Sequence, residues 1–375
     1  MKKKTIKVGL TTARHGINRE ITKFPPKGVK FLSIKPIPNF LLTGNLQYYE
    51  EKECDLLDVL DFPCFTKNKW IYQCYSAGGL GAYTLFGLYI SRNSRIELTK
   101  GLLARDNLKR IIIGSNAATK DIQRYAKIND SKILDKMIVV YPGIRQIDDS
   151  VLQRKKKGQK INILFVGIDF VRKGGMQLLD AFEMLQKKFD NLQLTVVSFF
   201  CDGIERQFDP GKKREIAKRK IANNPDIVFV RKPEREVIFN QYYPKADIFI
   251  LPTMEESFGL ALVEAQAFGL PVVATDIYAI PEIVESNKSG LLIKVKNNKF
   301  IKKPNRFSNK KGQYIIPKDL NDQLTEGIYS KLKLLIEDNS LREKLGKEGL
   351  KIARTKFSVQ KRNKSIKKIY EKAIE

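Results

Sequence analysis

The sequence contains one histidine and four cysteines among its 375 residues. The cysteines stand at positions 54, 64, 74 and 201, and no two of them form a C-x-x-C pair. Zinc sites need clustered Cys and His ligands, so this composition argues against one and favours thiols over disulfides in a reducing compartment. No local Asp-x-Asp metal motif is present, and the pair Asp148-Asp149 falls in a polar stretch. We therefore expect no metal and no other cofactor.

Long apolar runs are missing as well. The longest, residues 80–90, is too short to span a bilayer and contains glycines and tyrosines. The amino terminus carries the basic residues Lys2, Lys3 and Lys4, but no apolar signal core follows them. We therefore expect a cytoplasmic protein. With 42% hydrophobic residues, a chain of this length can fill the cores of two domains.

Acidic residues are scarce relative to basic ones, and the formal net charge is +28. Residues 1–50 hold 10 Lys/Arg against 2 Asp/Glu, and residues 301–375 hold 20 against 9. This excess favours an anionic partner, which is a lipid surface, a phosphorylated substrate or a nucleic acid. A lysine-rich proteome whose solvated faces drift basic would produce the same composition, so charge alone leaves both explanations open.

Short apolar, β-branched runs alternate with helical segments along the whole chain. Most of them are apolar on both faces, as parallel strands are when helices cover both sides of their sheet. The pattern predicts strands at residues 6–10, 29–34, 56–60, 70–75, 110–113, 137–141, 161–166, 192–198, 227–230, 248–251, 271–274 and 290–293. Strands that alternate with helices indicate an α/β protein with doubly wound, Rossmann-like sheets.

The strand pattern restarts after residues 148–160, a polar and charged stretch that is typical of an interdomain linker. We therefore expect Rossmann-like domains at residues 1–150 and 151–350, followed by a C-terminal helix at residues 351–375. Residues 294–318 hold nine Lys/Arg and no Asp or Glu. They predict a surface excursion, which is either a solvated insertion or an anion-binding arm.

The most informative segment covers residues 251–275. It predicts a strand, a loop, a helix that Gly269 ends, and a further strand. The loop thus lies at the carboxyl edge of a parallel sheet, where ligands bind in this architecture. At the helix start, the amides of Phe258, Gly259 and Leu260 suit a diphosphate, and Gly259 lets the ligand approach the backbone closely.

Two glutamates accompany this helix start. Glu256 precedes it, and Glu264 lies eight residues later, about two helical turns along, so both point to a similar side. One carboxylate can then reach a sugar while the other accepts hydrogen bonds from ribose hydroxyls. The alternative for Glu264, an incidental exposed helix residue, is disfavoured because its neighbours Leu262, Val263 and Ala265 are apolar.

Residues 251–293 resemble the E-x(7)-E signature region of the family 4 retaining glycosyltransferases, which have the GT-B fold. Glu256 and Glu264 have the required spacing, and Ser257 begins the Ser-Phe-Gly-Leu that follows the first glutamate. The resemblance continues in Gly-Leu-Pro-Val-Val-Ala-Thr-Asp from residue 269, Ile-Pro-Glu-Ile-Val-Glu from residue 280 and Ser-Gly-Leu-Leu-Ile from residue 289. It implies two Rossmann-like domains that face a cleft, with the C-terminal helix crossing back to the first domain.

Residues 164–182 resemble the first strand, loop and helix of that family's C-terminal domain. In the family a basic pair here holds the donor diphosphate, and Lys173 matches its lysine. Ile168 stands where the arginine often does, so Arg172 either substitutes for it or lies on the surface. Cations at this position would stabilise the negative charge of a leaving diphosphate.

The N-terminal half resembles the family's acceptor domain more loosely. Its first loop keeps Gly16 of the paired glycines, with His15 in place of the other. His15 either touches the donor phosphate or the acceptor, or is an incidental loop residue. Residues 75–81, after the fourth strand, read Tyr-Ser-Ala-Gly-Gly-Leu-Gly where the family often has a histidine. These glycines either bring backbone amides to a ligand or only make a turn.

The resemblance implies a metal-independent hexosyltransferase that moves a sugar from a nucleotide-sugar donor with retention of configuration. Residues 1–150 would bind the acceptor, which is a glycan, a glycolipid or a polypeptide, and residues 151–350 would bind the donor. Glu256, Lys173 and Arg172 would carry the reaction, while Glu264 would hold the ribose. The remaining predicted donor-binding residues are Ser257, Phe258, Gly259, Leu260, Gly16 and Arg231, the last of which would frame the base.

Residues 358–374 predict a basic amphipathic helix, which would join the basic residues of 1–50 on one face and favour an anionic membrane surface as a partner. Two other hypotheses stay open. One is a nucleotide-sugar enzyme of the same fold, either an epimerase or a glucan synthase-like polymerase. The other is a non-enzymatic polyanion-binding protein. Nucleic-acid binding is disfavoured because it leaves Glu256 and Glu264 without a role.

Overall fold

The computed structural model describes residues 5–11, 16–37, 47–75, 80, 91–152, 160–200, 212–296, 301–303 and 313–375. Several predicted features lie outside the described residues, namely His15, Cys201, residues 76–79 and 81 of the glycine-containing loop, residues 153–159 of the linker and most of the basic excursion. The chain divides into two compact units. The first comprises Met1–Arg145 together with Lys356–Glu375, and the second comprises Gln146–Thr355.

The first unit contains a sheet of six parallel strands. Strands β1 to β6 are Ile6–Thr11, Val29–Ile34, Leu56–Leu60, Trp70–Cys74, Leu108–Ile113 and Met137–Val139. Their order in the sheet is β2-β1-β3-β4-β5-β6. Helices α1 to α4 are Gly16–Lys23, Arg92–Ala104, Asn116–Ala126 and Ser131–Leu134. All six predicted strands of this half are confirmed, and a short parallel pair, Gln47–Tyr48 with Cys64–Phe65, is added to them.

The second unit contains another sheet of six parallel strands. Strands β7 to β12 are Ile161–Ile168, Leu192–Phe199, Ile227–Arg231, Ile248–Leu251, Val272–Thr275 and Gly290–Ile293. Helices α5 to α11 are Gly175–Gln186, Lys212–Ala222, Arg235–Val237, Leu260–Ala267, Ile280–Ile283, Lys318–Glu337 and Asn339–Lys356. The sheet order is β9-β8-β7-β10-β11-β12, so the chain reverses direction across the sheet between β7 and β10. This switch point is where open α/β sheets bind ligands.

The basic excursion that follows β12 is described only in part. Within it, Ile301–Lys303 pairs antiparallel with Gln313–Ile315. Throughout the described ranges, no helix combines the length and the apolar character that a bilayer span requires.

The last helix of the chain, α12 (Val359–Ile374), belongs to the first unit. The Ser358 hydroxyl caps it by accepting a hydrogen bond from the Lys361 amide at 3.3 Å. Its apolar side joins the buried core beneath the sheet. That core comprises Ile366, Ile369, Tyr370 and Ala373 of α12 with Ile6, Val8, Val29, Leu56, Ile71, Ile112 and Val140. The helix is therefore an integral layer of this unit.

A buried polar cluster lies inside this apolar layer. Asp58 of β3 is completely buried, and its Oδ2 accepts hydrogen bonds from the Tyr370 hydroxyl and from Gln73 Nε2, the latter at 2.6 Å. Its Oδ1 is buried without a hydrogen-bond partner among the described residues. Burial raises the pKa of Asp58 to about 6, although Tyr370, Gln73 and the buried Arg362 oppose the rise. The folded state thus favours the protonated carboxyl group.

Because the pKa of Asp58 is higher in the folded state than in the unfolded chain, folding takes up a proton between about pH 4 and 6. The free energy of unfolding should fall by up to about 3 kcal/mol as pH rises through this window. In Asp58→Asn, which keeps an acceptor oxygen but cannot ionise, this loss should disappear. Urea unfolding followed by fluorescence of Trp70, the single tryptophan and a buried residue of β4, measures this unit directly.

The control is Asp106→Asn, since Asp106 is exposed in the same unit. It should keep the pH dependence of the wild type. Parallel pH profiles for the wild type and Asp58→Asn would contradict the assignment.

Candidate active site

Two loops meet at the switch point of the second sheet. One follows β7 and carries Lys173, and the other follows β10 and carries Glu256. Their backbones are in direct contact, because a Cβ atom on Gly174 would lie 2.1 Å from the carbonyl oxygen of Pro252. Gly174 also has a positive φ of 81°, a conformation that residues with a Cβ atom rarely adopt. The two loops therefore depend on glycine at this position for their close packing.

Lys173 and Glu256 form an ion pair across the two loops. The Lys173 ammonium donates hydrogen bonds to Glu256 Oε2 at 2.8 Å and to the carbonyl oxygen of Glu255 at 3.1 Å. Their side chains are 10% and 13% exposed, so solvent screens the pair only weakly. A cation and a carboxylate are thus held side by side at the carboxyl edge of the sheet.

Arg172 is held by acidic residues of the same region. Its Nε and Nη2 both donate to Asp169 Oδ2, at 3.1 and 2.6 Å, and its Nη1 lies 3.8 Å from Glu255 Oε2. Asp169 is buried and has a positive φ of 64°. Asp169 is not among the site residues predicted from the sequence. The available indication was that Asp169 and Arg172 stand three residues apart in the short segment between a strand and a helix, where opposite charges can pair.

The loop after β10 leads into α8. Gly259 has φ 103° and ψ 47°, a left-handed conformation suited to glycine, and it caps the helix. The Leu262 amide donates to the carbonyl oxygen of Gly259 at 2.9 Å, and the first amides of a helix have no acceptor within the helix itself. Glu256 Oε1 accepts a hydrogen bond from the Ser257 amide at 3.0 Å. The carboxylate of Glu256 therefore lies beside the start of α8.

Glu264 is buried in the middle of α8, with 7% of its surface exposed. Arg235 donates to its Oε1 from Nε at 3.0 Å and from Nη2 at 2.5 Å, and the Tyr243 hydroxyl donates to Oε2 at 2.8 Å. Burial, and then the charge of Glu264, raise the pKa of Tyr243 well above its usual range, so its hydroxyl remains a donor. Sequence reasoning missed both partners. The available signal was that a glutamate among apolar neighbours needs a buried cation.

The structure also describes the other residues that were predicted to bind the donor. Ser257 is exposed, Phe258 and Gly259 are buried, and Leu260 is half-buried at the first position of α8. Gly16 is the first residue of α1, in the first unit. The structure thus brings Lys173, Glu256 and the start of α8 together, while the local contacts of Arg172 are to acidic side chains.

Arg231 is the last residue of β9, and its side chain is exposed. It borders a pocket of about 390 Å³ at the carboxyl ends of β8 and β9. The other lining residues are Phe199, Phe200, Arg214, Lys218, Ile221, Ala222 and Phe229. The rings of Phe200 and Phe229 are stacked, with centroids 5.6 Å apart. Arg231 is therefore at the predicted edge of the sheet, on the β9 side of the switch point.

In the part of the chain that the structure describes, no group of three or more His, Cys, Asp or Glu side chains is arranged to hold a metal ion. Lys173 and Arg172 contribute positive charge at this edge of the sheet.

Comparisons with known proteins show a similarity that is centred on the second unit. Residues 146–312 match the family model described as Glycosyl transferases group 1. The capsular polysaccharide biosynthesis glycosyltransferase CapM of Staphylococcus aureus is 25% identical over 301 residues, 77% of this chain and 67% of that protein. The matches to the first three curated relatives span 42%, 67% and 45% of those proteins' lengths.

Two solved structures share the fold over nearly the full length of this chain. A glycosyltransferase from Rickettsia africae has a TM-score of 0.65 at 15% identity, over 100% of this chain and 99% of that one. Anabaena HepE, in complex with UDP and glucose, has a TM-score of 0.64 at 14% identity, over 98% and 99%. The predicted fold class is therefore confirmed: this chain has two parallel-sheet α/β domains that match GT-B glycosyltransferase structures.

Proposed function

We propose that this protein is a retaining, metal-independent hexosyltransferase that transfers a sugar from a nucleoside diphosphate sugar to an acceptor. The observation that carries the proposal is the Lys173–Glu256 pair, held beside the start of α8 in the region that the Glycosyl transferases group 1 family model matches. A leaving diphosphate needs positive charge, and a reacting sugar needs an oriented carboxylate. These residues supply both within one small region.

Lys173 and the amides of Gly259 and Leu260 would bind the diphosphate. A lysine has three N–H donors, and the described residues account for two of them, through Glu255 and Glu256. The amides at the helix start and the helix dipole add attraction for an anion. Together they would stabilise the leaving group in place of a metal ion.

Glu256 would contact the sugar, and Glu264 would accept hydrogen bonds from the ribose. The nucleotide in the Anabaena HepE structure is UDP, bound together with glucose. That complex supports a nucleotide-sugar donor for this chain. CapM of Staphylococcus aureus acts in capsular polysaccharide biosynthesis, which supports a glycan or lipid-linked glycan as the acceptor class.

A basic surface of the first unit supports action at an anionic membrane from the cytoplasmic side. We define the lysine face as Lys23, Lys27, Lys364 and Lys367. The side-chain amide of Asn363 donates to the carbonyl oxygen of Phe24 at 2.9 Å. Lys367 Nζ lies 3.5 Å from where a Cβ atom on Gly28 would stand, so α12 adjoins the turn after α1. Among residues 5–11 and 16–37 the single acidic residue, Glu20, is buried. No exposed acid of that segment offsets the face.

Glu256→Gln should separate binding from transfer. The isosteric amide should leave nucleotide binding nearly unchanged but reduce transfer at least about 100-fold, because it cannot support developing positive charge on the sugar. Binding is measured by thermal unfolding with UDP, GDP, ADP and their glucose conjugates. Transfer is measured as release of nucleoside diphosphate from the conjugate that stabilises the wild type most.

A ligand at about 100 times its dissociation constant increases the free energy of unfolding by about 2.7 kcal/mol. This increase sets the expected rise in the thermal midpoint. Glu285→Gln, an exposed glutamate of the same unit, is the matched control and should behave as the wild type. If Glu256→Gln transfers sugar as fast as the wild type, the role proposed for Glu256 is wrong. If no nucleotide stabilises the wild type, the donor assignment itself is wrong.

The lysine face predicts binding to vesicles that contain phosphatidylglycerol and weak binding to phosphatidylcholine vesicles. Replacing its four lysines with glutamine should reduce cosedimentation with anionic vesicles at least tenfold, since each lysine near such a surface contributes about 1 kcal/mol. The control replaces four exposed lysines of the second unit, Lys187, Lys344, Lys347 and Lys351. Equal losses in both variants would mean that net charge, and not this face, drives the binding.

A further inference from the structure

The segment between β9 and β10 contains an irregular helical stretch that the roles assigned above do not use. It begins with the single turn α7, continues as a π-helical turn at Ile238–Tyr242 and ends as a 3-10 turn at Tyr243–Lys245. π-Helical turns are rare and occur frequently at functional sites. Arg235 and Tyr243 stand at the two ends of this stretch, and both bind Glu264.

The two contacts restrain the Glu264 carboxylate from both of its oxygens. Arg235 holds Oε1 with two N–H groups, and Tyr243 holds Oε2 with its hydroxyl. Charge-assisted bonds of this kind are short and directional. Because both oxygens are engaged, the plane of the carboxylate is fixed and so are the directions in which it accepts further hydrogen bonds.

Aromatic rings fix both donors in turn. The Arg235 guanidinium lies over the ring of Phe239, 5.0 Å from its centroid. Tyr243 is completely buried and stacks on Phe268, with centroids 5.0 Å apart, and Phe239 contacts both rings edge to face. Phe268 directly follows α8, the helix that carries Glu264. The aromatic cluster therefore ties the irregular stretch to the helix at the donor site.

We infer that Arg235 and Tyr243 are positioning residues that hold Glu264 as an ionised, oriented acceptor for the ribose hydroxyls of the donor nucleotide. The inference rests on the proposed function, in which Glu264 binds the ribose. It goes further in naming what keeps that carboxylate charged in a buried setting and what sets its direction. The ligand it implies is a ribonucleotide, distinguished from a deoxyribonucleotide by this cluster.

The test compares ribonucleotides with their 2′-deoxy and 3′-deoxy forms. Isothermal titration first identifies which of UDP, GDP and ADP binds the wild type, and the deoxy forms of that nucleotide are then used. Tyr243→Phe removes a single oxygen, and Arg235→Lys keeps the charge but removes the two-point contact. Each should weaken ribonucleotide binding about tenfold and change the affinity for at least one deoxy form by less than about twofold.

A double variant tests whether the effect passes through Glu264. In Glu264→Gln, the further change Tyr243→Phe should cost no additional affinity, since the carboxylate it positions is gone. Tyr242→Phe is the matched control, because Tyr242 is the adjacent tyrosine and is only half-buried. It should bind as the wild type does. Thermal midpoints measured without ligand separate loss of folding from loss of binding, and Arg235→Lys provides a second folded variant.

Three outcomes would overturn the inference. Equal losses for the ribonucleotide and both deoxy forms would indicate a general structural role for the cluster. Unchanged ribonucleotide affinity in Tyr243→Phe and Arg235→Lys, together with weakened binding in Glu264→Gln, would reject the positioning role and leave the proposed function intact. Unchanged binding in Glu264→Gln would reject both the inference and the ribose role of Glu264.

Discussion

The candidate site depends on the close approach of two backbones at the switch point of the second sheet. Gly174 permits it, because any side chain there would collide with the carbonyl of Pro252. The hydrogen bond from the Met254 amide to the Arg172 carbonyl, at 3.1 Å, fixes the same contact on the other side of Lys173. Because both loops are held in this way, Lys173 of one loop and Glu256 of the other are positioned to form their ion pair.

Glu264 and Asp58 are two buried carboxyl groups whose surroundings differ. Glu264 lies beside Arg235, and this cation and the Tyr243 hydroxyl take the place of water around its carboxylate. Among the described residues, Asp58 receives hydrogen bonds from neutral groups on one oxygen only, and burial raises its pKa to about 6. The first arrangement is suited to binding a ligand through a carboxylate. The second is suited to joining α12 to the sheet, where a protonated carboxyl group serves equally well.

The twelve strands of the two sheets could be predicted because most of them are short β-branched runs that are apolar on both faces. The region around Glu256 and Glu264 could be predicted because strand, loop and helix are contiguous in the chain. The partners of Glu264 could not, since Arg235 is 29 residues and Tyr243 is 21 residues away in the chain. Arg172 was predicted as a diphosphate ligand from the family resemblance, as a substitute for the arginine that Ile168 replaces. Its contacts depend on Asp169, whose left-handed backbone the sequence did not indicate.

The pairing of Lys173 with Glu256 bears on how a diphosphate would enter the site. A carboxylate next to Lys173, the lysine proposed to bind the diphosphate, would repel an incoming anion and so oppose binding. The repulsion is limited, because the ammonium lies between a carbonyl oxygen and the carboxylate and has a third donor for the ligand. The same carboxylate becomes favourable once the sugar gains positive charge. In the proposed mechanism, the pair would therefore lose some affinity for the ground state and gain stabilisation of the transition state, which is the direction that catalysis requires.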